Sequence, residues 1–384
     1  MRVAKICAYF WPVKGGMEDH LYFDGSELVK KGYGVAMLVS DSIRDGKEKL
    51  PKTDLIEGIN VRRFKTLFKY SYFSPFFPGL FLHLLKERYD IIHVHSFRQF
   101  YNLALLIAKL RKVPSVITTH WPEYPESVRN KILNLAVKLF DSTIGKWILN
   151  SADKVIVQTE AEKSWLLERF RVSPKKIEIV PPGFRSIYLK KTDPKKFRKR
   201  YNINEKNMVL CIGRMHRSKG FDKVVKIASS FSDTKFVFIG HDSGFKNELE
   251  NLAEGLKVSD KILFAGAVSD EEKLDALAAC DVLVMPSDYE AFGIALLEAM
   301  AQGKPVIAAN AGGMPDVVGN CGFVFDKNNL WDLKEKLRKL LLNKKLREKL
   351  GKLARNKAED FTWENQVEKI GKVYKNLIEN RKKI

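Results

Sequence analysis

The strongest constraint on this chain is the alternation of short apolar runs with helix-length amphipathic segments, a pattern that starts, stops and starts again. Residues 3–10, 35–40, 91–94, 115–119 and 154–158 read as short buried strands with helical intervals between them. Such alternation builds a parallel sheet wrapped by helices. A proline turn at Pro181-Pro-Gly183 and a lysine-rich polar stretch, 190–207, then interrupt the series. It resumes with strand-like runs at 208–212, 235–239, 261–264, 282–285, 305–308 and 322–325. Two Rossmann-like α/β domains in tandem follow, in keeping with 384 residues being more than one core usually serves. The division expected is 1–188 for the first domain and 189–365 for the second, with 366–384 a C-terminal helix packing back on the first.

Composition narrows the functional classes. The four cysteines, Cys7, Cys211, Cys280 and Cys321, have no metal-ligand spacing, which fits buried apolar thiols in a reducing compartment. No apolar run approaches the roughly 20 residues of a spanning helix and no signal-peptide pattern opens the chain, so a cytoplasmic location is expected. The net charge of +21 attracts polyanions or anionic bilayers. It is shared by both halves, residues 1–190 carrying 31 Lys and Arg against 19 Asp and Glu. Between Glu57 and Glu87 there is no acidic residue, while Arg62, Arg63, Lys65 and Lys69 interleave with aromatics as far as Phe81. That segment, Arg62 to Phe81, reads either as a contact with an anionic membrane surface or as a buried aromatic helix with a basic flank. With no basic recognition helix and no RNP-like aromatic strand, nucleic acid is not an expected partner. The absence of GxGxxG after a strand and of GxxxxGK[ST] removes the dinucleotide and P-loop readings.

The chemistry concentrates around Pro286-Ser-Asp-Tyr-Glu-Ala-Phe-Gly-Ile-Ala-Leu-Leu-Glu298, which leaves an apolar strand and enters a helix. Glu290 sits on the turn, and a helix opening near Gly293 presents free N–H groups where open α/β sheets bind ligands. Glu298, two turns into that helix, can accept hydrogen bonds from a diol such as ribose. Arg214 and Lys219 suit a diphosphate, as a planar fork and a point charge. Gly15-Gly16 follows the first strand and lets backbone approach a ligand. His120 ends an apolar strand. His93 and His95 alternate on a strand and face the same way, but with no third ligand nearby they read as packing residues, and no metal site is expected.

Glu290-x7-Glu298, with Gly303-Lys-Pro-Val-Ile-Ala308 and Ala311-Gly-Gly313, resembles the signature of the GT4-type glycosyltransferases (glycosyl transferases group 1). The likeness extends to Gly15-Gly-Met-Glu18, Asp90-Ile-Ile-His-Val-His95, Thr118-Thr-His120 and Gly213-Arg-Met-His-Arg-Ser-Lys-Gly220, and so spans nearly the whole chain. The resemblance implies a GT-B fold, parallel sheets of two Rossmann-like domains facing across a cleft, and retaining transfer from a nucleotide-diphosphate sugar (UDP-, GDP- or ADP-linked) without a metal. It implies catalytic roles for Arg214, Lys219, Glu290 and His120, and a donor site of Gly15, Gly16, Arg214, Lys219, Glu290, Phe292, Gly293, Ile294 and Glu298. Asp19 is an acceptor-site candidate. The acceptor class implied is a glycan, a lipid-linked or a small-molecule hydroxyl, with a peripheral position on the inner face of the membrane if lipid is involved. Where Pro-Asn-Gly-Val-Asp is common in that family, this chain has Pro181-Pro-Gly-Phe-Arg185. The alternatives to a hexosyltransferase are a sugar-nucleotide epimerase or hydrolase of the same fold, and a non-catalytic membrane-surface subunit.

Overall fold

In the computed structural model, which describes residues 1–44, 46, 48–71, 74–121 and 131–382, the apolar runs become strands covered on both faces. The chain divides into two units, Met1–Gly183 with Trp363–Ile384, and Phe184–Thr362. Burial sets these limits. Phe184 is packed in the second core and its N–H bonds the Phe361 carbonyl, whereas Trp363 is buried in the first unit with its ring 4.8 Å from that of His20.

The first unit contains β1 (Arg2–Ile6), β2 (Gly34–Ser40), β3 (Thr53–Ile56), β4 (Ile59–Phe64), a small hairpin of β5 (Phe68–Ser71) and β6 (Ser74–Phe76), β7 (Ile91–His95), β8 (Ser115–Thr118), β9 (Lys154–Val157) and β10 (Ile177–Ile179). Its main sheet has the order β10-β9-β8-β7-β1-β2-β4-β3. This sheet departs from the all-parallel expectation at one edge, where β3 runs antiparallel to β4. The two residues joining them, Glu57 and Gly58, both take positive φ (48° and 76°), the geometry of a tight hairpin.

Side chains alternate across this sheet. Ala4, Ile6, Ile92, Val94 and Ile117 join one core. Val3, Cys7, Ile91 and Val116 join another, covered by the Gly16–Lys30 helix and by Val367, Ile370, Val373 and Tyr374 of the C-terminal Trp363–Lys382 helix. All four cysteines are free and buried.

The basic-aromatic stretch from Arg62 to Phe81 is neither one surface segment nor one buried helix. It finishes β4, makes the hairpin and enters the Gly79–Lys86 helix. Arg63, Phe64 and Phe77 are buried, Arg63 donating to the carbonyls of Trp11 at 2.6 Å and Pro51 at 3.1 Å. Lys69 donates to the carbonyls of Ile43 and Arg44. Leu67, Phe68 and Tyr70 face outward. Strand alternation splits the segment's residues between core and solvent. Tyr72 and Phe73 lie outside the described residues, as does Pro122.

The second unit carries β11 (Asn207–Ile212), β12 (Thr234–Ile239), β13 (Ile262–Gly266), β14 (Val282–Met285), β15 (Val306–Ala309) and β16 (Gly322–Phe325). They form one parallel sheet in the order β13-β12-β11-β14-β15-β16. β14 and β15 are buried at every position, as strands with helices on both faces must be.

Within the first unit, Lys5 of β1 and Asp24 of the Gly16–Lys30 helix form an ion pair with neither side chain exposed. Deleting one partner strands the other in the core, which costs about 3–5 kcal/mol, whereas replacing both by apolar groups is often neutral. Lys5→Met is therefore expected to lose stability in urea unfolding and Lys5→Met/Asp24→Leu to regain most of it; a single variant within about 1 kcal/mol of wild type would refute the pairing.

Candidate active site

Strand order reverses between β11 and β14, so the loops leaving their C-terminal ends diverge and open a crevice. The two loops are tied together by backbone. Gly220 has φ +64°, and a Cβ there would lie 2.3 Å from the Pro286 carbonyl oxygen. Asp288 N–H donates to the Ser218 carbonyl at 2.9 Å. Lys223 Nζ reaches both the Pro286 carbonyl at 3.1 Å and Asp288 Oδ1 at 2.6 Å. A third segment closes over Glu290. Gly313 N–H donates to its carbonyl at 3.0 Å, and a Cβ on Gly312, at φ +55°, would stand 1.8 Å from that oxygen. Only glycine fits there, which gives Ala311-Gly-Gly313 its physical meaning.

These ties bring Lys219 and Glu290 into an ion pair, with Ser287 Oγ donating to the same carboxylate oxygen at 3.1 Å. Arg214 is exposed, and its side chain makes no hydrogen bond or ion pair among the described residues. Gly293, at φ +96°, precedes the Ile294–Ala301 helix. Phe292 is buried, its ring 6.5 Å from Phe361. Ile294 is half-buried as the first helical residue.

Glu298 stands in the second turn of that helix rather than two turns along it, because the helix opens at Ile294. It is buried, and Lys273 Nζ lies 2.5 Å from its Oε2. Burial pushes the Glu298 carboxyl up, and the Lys273 ammonium pulls it back. Lys273 also lies 4.9 Å from the centre of the Tyr188 ring, and Tyr188 donates to Asp270 Oδ1 at 2.9 Å. Asp270 in turn pairs with Arg185, one of the residues at which the chain departs from the common family pattern. Lys273, Tyr188 and Asp270 are brought in by tertiary packing and no spacing in the sequence points to them.

In the first unit the reversal falls between β1 and β7. Gly15 precedes the Gly16–Lys30 helix, and a Cβ there would meet Glu18 Oε2 at 2.6 Å and Arg44 Nη1 at 2.7 Å. Glu18 is buried and paired with Arg44. Gly16 has open space around it, and Asp19 is half-buried with its N–H on the Gly15 carbonyl.

His120 and Trp121 take positive φ, 53° and 33°, a conformation bulky residues rarely adopt. Glu162, buried at the start of the Glu160–Phe170 helix, holds them there. It accepts from Thr119 Oγ1 at 2.5 Å, Trp121 N–H at 2.6 Å and Gln158 N–H at 2.7 Å. Thr159-x-x-Glu162 is a capping-box spacing, the one sequence signal that could have flagged this glutamate.

Contrary to the sequence reading, a third imidazole does stand beside the His93–His95 strand. His20, His95 and His120 each offer a nitrogen within 4.8 Å of the others. His93 is set apart, bonding Thr118 Oγ1 at 2.8 Å and Tyr374 Oη at 2.6 Å. The cluster has the right donors for zinc, but the nitrogens of His95 and His120 are engaged. Lys5 Nζ faces His95 Nε2 at 3.4 Å and, being only a donor, leaves the His95 proton on Nδ1. His95 Nδ1 then donates to His120 Nε2 at 3.2 Å, which places the His120 proton on Nδ1, facing the Gln158 amide at 3.1 Å. That direction requires the amide oxygen of Gln158 to face the ring. A cation would have to displace this chain next to a lysine.

Burial, with Lys5 adding to it, pushes His120 down to about 3, and burial holds His20, His93 and His95 well below the ordinary imidazole range. Folded-state values below the unfolded ones mean that the unfolded chain binds more protons as the pH falls. The stabilising contribution is therefore complete above the ordinary value and is lost below it, by up to about 1.4 kcal/mol per pH unit for each imidazole. Unfolding free energy is expected to fall between about pH 7 and about pH 5. Equilibrium unfolding measured across that window checks this, and stability that is constant or rising on acidification would contradict it.

Comparison with known proteins places this geometry. The model of glycosyl transferases group 1 matches residues 193–357, and that of glycosyltransferase family 4 matches residues 14–185. The D-inositol 3-phosphate glycosyltransferase of Corynebacterium jeikeium is 30% identical over 323 residues, 78% of this chain and 76% of its own length. Sulfoquinovosyl transferase of Arabidopsis thaliana is 30% identical over 303 residues, 76% of this chain but 58% of its own length. In fold, the chain is similar to HepE of Anabaena solved in complex with UDP, with a TM-score of 0.80 at 18% identity, over 98% of this chain and 100% of that one. The chain therefore belongs to the group 1, family 4 glycosyltransferases, and is a glycosyltransferase of the GT-B fold.

Proposed function

We propose that this enzyme transfers a sugar, with retention of configuration and without a metal ion, from a nucleotide-diphosphate sugar to a hydroxyl of a glycan, lipid or small-molecule acceptor. The observation that carries the reading is the Lys219–Glu290 ion pair at the strand reversal of the second sheet, with Arg214 exposed on the same loop that leaves β11. A diphosphate arriving there meets a planar fork, an ammonium it can draw from Glu290, and the backbone N–H groups around Gly293 and Ile294. The similarity to a protein solved with UDP supports the choice of a nucleotide.

In this reading Glu298 accepts the ribose hydroxyls while keeping Lys273, since a carboxylate offers about four acceptor sites. The anomeric carbon–oxygen bond breaks with its electron pair going to the diphosphate, where Arg214 and Lys219 stabilise the charge that develops. The acceptor oxygen bonds to the same face of the sugar, and its proton passes to a phosphate oxygen of the leaving group. Glu290 and His120 are assigned to the sugar, Gly15 and Gly16 to the donor phosphates, and Asp19 to the acceptor. A cytoplasmic position, at the inner membrane face if the acceptor is a lipid, fits this donor class. Among the described residues no helix is long and apolar enough to cross a membrane.

Thermal-shift titration with UDP, GDP, ADP and their sugars tests the donor assignment. One base is expected to stabilise the enzyme selectively, by about 2.7 kcal/mol at a hundred times Kd, and Glu298→Gln to abolish the effect. Arg214→Ala or Lys219→Ala should lower turnover about 10²- to 10³-fold, the scale of losing one charge-stabilising group. No stabilisation by any nucleotide would favour a non-catalytic subunit, and donor consumed without an acceptor would favour an epimerase or hydrolase.

A further inference from the structure

The Lys131–Phe140 helix is anomalous for a water-soluble surface. Its sequence is strongly amphipathic, Lys-Ile-Leu-Asn-Leu-Ala-Val-Lys-Leu-Phe, yet none of its residues is buried. Ile132, Leu135 and Leu139, at i, i+3 and i+7 and so on one face, are 81%, 70% and 65% exposed. Beyond it, Ile144 and Trp147 are also exposed. A helix normally turns its apolar face inward, so this one presents outward what other helices hide.

The segment is nevertheless anchored. Asp141 is buried and clamped by Arg98 at 2.6 Å and Arg169 at 3.0 Å. Phe140 lies with its ring 6.1 Å from that of Phe97, and Gly145 fits against both rings. The outward face of residues 131–151 carries Lys131 and Lys138, both exposed, with Lys146 half-buried beyond them, and the one carboxylate in that span, Asp141, is held in the clamp. The whole chain adds a net charge of +21.

We propose that the Lys131–Phe140 helix and Trp147 are the enzyme's docking surface for an anionic lipid bilayer. Ten residues of helix span only about 15 Å, so it lies in the plane of the interface, with Ile132, Leu135 and Leu139 among the acyl chains. Its lysines meet the lipid phosphates, and the indole of Trp147 sits at headgroup depth. This places the contact outside the Arg62 to Phe81 stretch, two of whose four cations, Arg63 and Lys69, are tied to carbonyls of the protein. The inference does not rest on the donor site and stands or falls separately from it.

Co-sedimentation of the full chain with phosphatidylcholine vesicles, with and without phosphatidylglycerol, tests the proposal. Binding is expected only with the anionic lipid. It should fall about tenfold or more in Lys131→Gln/Lys138→Gln/Lys146→Gln and in Ile132→Glu/Leu135→Glu/Leu139→Glu, since each lysine near such a surface contributes about a factor of five and each buried CH₂ a comparable amount. Because the three apolar side chains are exposed, the glutamate variant should keep its thermal midpoint and its response to nucleotides. No binding by wild type, or binding undiminished in the glutamate variant, would overturn the proposal. So would self-association of wild type that the glutamate substitutions abolish without any vesicle binding, which would assign the face to a second copy of the chain.

Discussion

The close approach of glycine to carbonyl oxygen is the constraint on which the second unit's chemistry depends. Gly220 under Pro286 and Gly312 under Glu290 leave no room for a β-carbon, so three loops from different strands are locked at van der Waals distance. That lock carries Lys219 to Glu290 and leaves Arg214 to solvent. The preorganisation is in the backbone, and the side chains that meet a ligand are set by it.

Both glutamates singled out by the sequence are neutralised before any ligand arrives, Glu290 by Lys219 and Glu298 by Lys273. An unpaired carboxylate in the path of a diphosphate would repel it. In the function proposed above, a paired one lets Lys219 turn to phosphate while Glu290 turns to a hydroxyl. The first unit uses the same economy of charge. Glu18 is held by Arg44, Asp24 by Lys5 and Glu162 by three hydrogen bonds, while burial, with Lys5 adding to it, keeps the imidazoles of His20, His95 and His120 neutral.

Periodicity revealed the sheets because parallel strands buried on both faces are continuous apolar runs, as in β14 and β15. It hid β4, where Arg62 and Arg63 break the run although Arg63 is buried and donates to the Trp11 and Pro51 carbonyls, and β10, which has three residues. Glu290, Lys219 and the glycine motifs were legible because each lies in a local strand-to-helix turn. Lys273, Glu162 and His20 were not, because what makes them matter is contact with residues distant in sequence. The same limit applied to the bilayer reading: Arg62 to Phe81 read as a membrane contact or as a buried aromatic helix, whereas strand alternation divides it between core and solvent, and only the fold shows that the Lys131–Phe140 helix leaves an apolar face uncovered.

The central claim is that the β11 and β14 loops receive the donor. Hydrogen–deuterium exchange of the full chain, with and without the nucleotide that stabilises it, measures this directly. The account predicts that slowed exchange in the second unit centres on residues 213–220 and 286–298. Protection confined to the first unit, or to the second unit's sheet edge away from these loops, would contradict it.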